Sequence, residues 1–170
     1  MKVYHDWEFL EIDNSVFPIS VGMVAESGAE LYYIFQDAPW ERIAEHSWLS
    51  ANVVPYLHSD RTNVADTKTI RYEVDKFLEA AYLEGGNNLE LWGWYSAYDH
   101  VCLGQLFGAM VALPVCVPMW TNDIKQEAMR LGNVRIPDQR KPGETAHNAL
   151  FDARAELRMH QWLISYEKVV

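Results

Sequence analysis

The N-terminal part of the chain reads as strand. Residues 2 to 10 (KVYHDWEFL) are rich in aromatic and β-branched types, and the turn-prone IDNS separates them from a second such run, VFPISVGMVAE. Ser27-Gly28 marks a tight turn into ELYYIFQ, so the three runs predict an antiparallel meander. The period then changes. In TIRYEVDKFLEAAY, residues 69 to 82, the positions Ile70, Val74, Phe77, Leu78 and Ala81 fall at helical spacing, and Gly85-Gly86 ends the segment. LELWGWY, residues 89 to 95, predicts a buried strand, and YDHVCLGQLFG resumes helical periodicity, which places a strand-to-helix junction at Ser96 to Asp99. Beyond the Pro-interrupted stretch ALPVCVPMW, the pattern predicts a helix near residues 122 to 131, a loop RIPDQRKPGE and a last helix from about 148 to 164. Three antiparallel strands followed by helix, strand and helix predict an α/β class, a mixed sheet with helices on its faces.

Two acids break the pattern of the first strand. Side chains at i and i+2 share a face, so Asp6 and Glu8 project together while Trp7 and Phe9 project oppositely. Two neighbouring carboxylates in a half-buried place repel each other, so they reach solvent or are held by cations. A D-x-E alone is weak evidence, since roughly one is expected by chance in a chain of this acid content. Asp99 adds a third acid at the strand-to-helix junction, where α/β sheets commonly place ligand-binding groups and where an acid also suits the helix dipole. The fourth element is HNALFDARAE. Five helical residues at about 100° each would leave His147 and Asp152 roughly 140° apart, so His147 belongs before the helix or in its first turn. Asn148 is a suitable N-cap, which leaves the imidazole on a loop beside a rigid Asp152.

At 170 residues, about half of them hydrophobic, the chain suffices for one sizeable core, and a single domain over residues 1 to 170 is expected. The opening residues hold acids and no run apolar enough for a membrane span or secretory signal, so the expectation is a cytoplasmic protein without a membrane partner. Cys102 and Cys116 lack zinc or disulfide spacing and read as inert thiols. A net charge of -10 argues against broad electrostatic binding of duplex DNA. It does not argue against a nuclease, because cations held by clustered acids themselves attract phosphate.

Order and context raise the significance of the weak motifs. With DWE on the first strand, YDH at the mid-chain junction and HNALFD at the last helix, the chain resembles, essentially end to end, the DEDDh family of 3′-to-5′ exonucleases. It looks most similar to the polyadenylate-specific 3′-exoribonuclease AS branch, through LELW-W---AYDHV and H-AL-DAR. That resemblance implies an RNase H-like fold with a mixed five-stranded sheet flanked by helices. It implies Asp6, Glu8, Asp99 and Asp152 as ligands of two Mg²⁺ or Mn²⁺ ions per site, hard cations suited to oxygen donors. His147 would take the proton of the attacking water, a role matched to imidazole. The implied partners are the 3′ end of single-stranded RNA, adenine-rich tails included, and a second copy of the chain in a homodimer.

Substrate contacts are less distinct. Phe9, Leu10 and Glu11 directly follow the metal-binding pair and are candidates to meet a terminal base by stacking or through a carboxylate; a core aromatic and a surface acid are the alternative. Arg135, Arg140 and Lys141 are candidates for phosphate contacts or an ordinary solvated loop. His100, Trp92 and Trp94 read as structural. Two further readings stay open: a DNA-directed 3′ exonuclease of the same fold, and an RNA-binding module on a silent scaffold.

Overall fold

A computed structural model describes residues 1–57 and 63–168. Strands β1 (Lys2–Ile12), β2 (Ser15–Ala25) and β3 (Glu30–Phe35) form the antiparallel meander. The first hairpin closes on Asp13 and Asn14, both at positive φ (53° and 57°), the left-handed pair that matches the twist of the flanking strands. Gly28, at φ 97°, closes the second.

The chain then forms two short helices, α1 (Trp40–Glu45) and α2 (Ser47–Asn52), and a two-residue strand, β4 (Val64–Ala65). Helix α3 (Thr67–Glu84) follows, capped by the Asp66 carboxylate on the Thr69 N–H. Strand β5 (Glu90–Gly93), helix α4 (Ala97–Leu106), strand β6 (Asn122–Asp123), helix α5 (Ile124–Arg130) and helix α6 (Ala149–Glu167) complete the order. Among the described residues the sheet has six strands in the order β4-β3-β2-β1-β5-β6, not the five expected. The difference lies in the edges, where β4 and β6 are two residues long and show no periodicity to detect. No helix among the described residues is long and apolar enough to cross a membrane.

Each face of the sheet is covered. Val3, Trp7, Val21 and Met23 pack with Ile70, Val74 and Leu78 of α3 and with Leu103 and Leu106 of α4. On the opposite face Tyr4 packs with Ile124 and Ala128 of α5 and Leu163 of α6. Each fully buried aliphatic side chain contributes about 1.5–3 kcal/mol relative to exposure. A third cluster joins Leu10 and Ile19 to Ile43 of α1 and Leu49 of α2.

Two features of this frame prepare a site on β1. Strand β5 pairs with β1 only from Lys2 to Tyr4, so the β1 edge from Asp6 onward is open on that side. Asp6 lies opposite Gly22 on β2, and a Cβ at Gly22 would overlap the backbone of Ala149 and Leu150. The missing side chain lets the first turn of α6 lie directly on the sheet, over the acids of β1.

Candidate active site

The open edge, the N-terminus of α4 and the N-terminal half of α6 enclose a cleft of about 740 Å³. Asp6, Glu8, Asp99, His147 and Asp152 all line it, so the five groups read from three separate motifs meet in one place. Glu8, His147 and Asp152 each present a ligand atom within 4.8 Å of the others.

Each side chain is held by an identifiable local device. Asp6 and Glu8 share a face by strand alternation, and just beyond them the pairing with β2 shifts register between Glu8 and Phe9 before it resumes at Phe9 and Pro18. Asp99 sits in the first turn of α4, and its Oδ1 accepts the Trp7 N–H at 3.1 Å, a donor that the early departure of β5 leaves free. Thr121 Oγ1 lies 2.8 Å from His5 Nε2 and 3.1 Å from His100 Nδ1, which ties α4 to β1 and gives His100 the structural part expected of it. Asn148 caps α6 by accepting the Phe151 N–H.

His147 precedes the cap, as the angular argument requires, in a left-handed conformation at φ 62°. That conformation turns its backbone N–H onto Asp152 Oδ2 at 2.7 Å. Trp48 packs edge-on against the imidazole, with ring centroids 4.9 Å apart. The loop position foreseen for His147 is therefore pinned at both backbone and ring.

The electrostatics are those of an anion cluster. Burial, then Asp99 and Glu8, pushes the Asp6 carboxyl well above the carboxylate range, and Asp6 Oδ2 is buried without a hydrogen-bond partner. Burial, then Asp152 and Asp99, pushes Glu8 up to about 8. Burial pushes Asp99 to about 7 against the opposing bond from the Trp7 N–H. Opposing charge reaches the cluster from Arg140, whose Nη2 and Nε donate to Asp152 Oδ1 at 2.8 and 3.1 Å. Hard oxygen donors, a buried unpartnered oxygen and excess negative charge together fit one or more divalent cations.

This arrangement has a measurable consequence. In the unfolded chain Glu8 and Asp99 ionise near 4, whereas the folded protein keeps their protons to about 8 and 7. Between these limits the native state binds more protons, so raising the pH removes stability, on the order of a few kcal/mol in total. Melting in EDTA is expected to fall from pH 5 to pH 8, and Mg²⁺ is expected to restore it at pH 8. A melting temperature that rises over that interval in EDTA, or ignores Mg²⁺ at pH 8, would contradict the assignment.

The substrate candidates divide. Phe9 lines the cleft and stacks on Tyr98, with ring centroids 5.4 Å apart. Glu11 accepts the Tyr98 hydroxyl at 2.9 Å and so reaches the cleft indirectly. Leu10 does not face the cleft; its side chain is buried under α1 and α2. Arg135 and Arg140 line the cleft wall, whereas Lys141 does not. Trp94, read as structural, also lines the cleft, and Trp92 packs on His160 in the core.

Sequence reasoning missed Tyr98 and Glu156, which line the cleft, and Trp48, which packs on His147. Glu156 was detectable, because it follows Asp152 by four residues in DARAE and helical spacing puts both on one face.

Comparison with known proteins supplies the identity. Residues 1–164 match the model of the 3′-5′ exoribonuclease Rv2179c-like domain. Two curated relatives from Mycobacterium tuberculosis are similar along nearly the whole chain: 3′-5′ exoribonuclease Rv2179c of strain H37Rv and 3′-5′ exoribonuclease MT2234.1 of strain CDC 1551. Each is 36% identical over 166 residues, covering 97% of this chain and 94% of the relative. The cleft of carboxylates and histidine thus sits in a hydrolase, and the chain belongs to the Rv2179c-like family of 3′-5′ exoribonucleases, members of the DEDDh group.

Proposed function

We propose that the chain, as one exonuclease domain, removes nucleotides from the 3′ end of single-stranded RNA and releases 5′-mononucleotides. The observation that carries this reading is the convergence of Asp6, Glu8, Asp99, Asp152 and His147 on one cleft whose walls hold an aromatic pair and two arginines. The four carboxylates would hold two Mg²⁺ or Mn²⁺ ions, which supply charge stabilisation for the attacking and leaving oxygens of an in-line displacement at phosphorus. His147 accepts the proton of the attacking water, its ring steadied by Trp48. Phe9, backed by Tyr98, offers a stacking surface to the terminal base, and Glu11 beyond Tyr98 offers a carboxylate to a base amino group. Arg135 and Arg140 contact phosphates of the incoming strand. Leu10, read at first with these, belongs to the core under α1 and α2 instead. Resemblance to the polyadenylate-specific branch supports a preference for adenine-rich 3′ tails and a homodimeric state.

Substrate class and base preference are tested together. Oligo(A) is expected to be degraded faster than oligo(U), oligo(C) and oligo(G) of equal length, and faster than oligo(dA), which lacks the 2′-hydroxyl. Equal rates on oligo(A) and oligo(dA) would overturn the RNA reading, and equal rates on the four RNAs the adenine preference.

A further inference from the structure

Glu156 is a fifth carboxylate in the cleft, and the mechanism above leaves it without a role. It lies one helical turn beyond Asp152 on α6 and is only 3% exposed. Its Oε1 accepts the Trp94 N–H at 2.9 Å, just past the end of β5. Its Oε2 is buried with no hydrogen-bond partner among the described residues. A carboxylate placed to serve one backbone N–H needs only one acceptor, and glutamine would supply it without a charge. Here a second oxygen is instead taken out of water beside Asp99, Asp6 and Asp152, where it is costly unless something positive or hydrogen-bonding meets it.

We propose that Glu156 is a further residue of the divalent-cation centre: its free oxygen, on the Asp99 side of the cleft, accepts hydrogen bonds from the cation's water shell and strengthens the weaker of two binding events. The role is one of positioning and charge, since Asp6, Glu8, Asp99 and Asp152 supply the direct ligands. Such outer partners typically change metal affinity by about 10- to 100-fold. The inference rests on the cation-binding reading of the four carboxylates, and its test separates the two.

Mn²⁺ is titrated calorimetrically into wild type, Glu156→Gln, Glu156→Asp and Asp152→Asn, with melting curves in EDTA as a check on folding. Glutamine keeps the acceptor for Trp94 and adds no charge to the cluster, so Glu156→Gln is expected to melt in EDTA at or above the wild-type temperature. Its weaker Mn²⁺ event is expected to lose about 10-fold or more in affinity while the tighter event is unchanged, and Glu156→Asp is expected to recover part of the loss. If Asp152→Asn loses Mn²⁺ binding and Glu156→Gln does not, Glu156 is only a cap for Trp94 and the inference fails alone. If neither variant alters Mn²⁺ binding, the cation-binding reading fails and takes this inference with it.

Discussion

Replacing Asp152 by asparagine is expected to lower turnover of RNA by more than about 100-fold while leaving the protein folded. Even residues that touch a metal only through its ligands change affinity or activity by up to about 100-fold, and Asp152 is assigned as a direct ligand. Stability should move little or in the opposite direction. The asparagine carbonyl still accepts the His147 N–H, and removing one charge relieves the repulsion that Asp152 adds to burial in pushing Glu8 up. The loss of the Arg140 contact offsets part of that relief. Steady-state kinetics and melting in EDTA, run on the same preparations, give the two readouts. Turnover within a few-fold of wild type would remove Asp152 from the ligand set.

His147→Ala is expected to lower kcat by about 10²- to 10⁴-fold, the contribution typical of a positioned general base. The geometry leaves a second role open to this residue, because one of its ring nitrogens lies within 4.8 Å of a carboxylate oxygen of Glu8 and of Asp152. The two roles differ in what else changes. A base that acts on water leaves Mn²⁺ affinity unchanged on removal, whereas a ligand takes metal affinity with it. The account predicts the first result, because four carboxylates already satisfy a hard cation. Loss of Mn²⁺ binding in His147→Ala would reassign the residue from base to ligand.

The core of this site was legible through the order of three motifs, DWE, YDH and HNALFD, and their resemblance to those of a known family; periodicity added local geometry. Alternation put Asp6 and Glu8 on one face, the helical angle put His147 before the last helix or in its first turn, and cap preference pointed to Asn148, where the cap is found. What escaped were features set by tertiary packing. The sheet's outer strands are two residues each, and α1 and α2 are six residues each, too short for a repeat to register. Without α1 and α2 there was no visible cover for Leu10, so a core side chain stood among the substrate candidates. Arg140 was read as a phosphate contact from a loop; that it also pairs with Asp152 depends on how residues 135 to 140 line the cleft. Gly22 carried no signal on its own strand; its significance appears only when α6 lies across it.

The most direct test of the central claim follows the direction and product of cleavage. The wild-type protein is incubated with the same single-stranded RNA labelled at the 3′ end in one sample and at the 5′ end in another, with Mg²⁺ or with EDTA. The 3′ label is expected to appear at once as a 5′-mononucleotide, the 5′-labelled strand to shorten progressively, and neither to happen in EDTA. Internal fragments, release of the 5′ nucleotide first, or full activity in EDTA would contradict it.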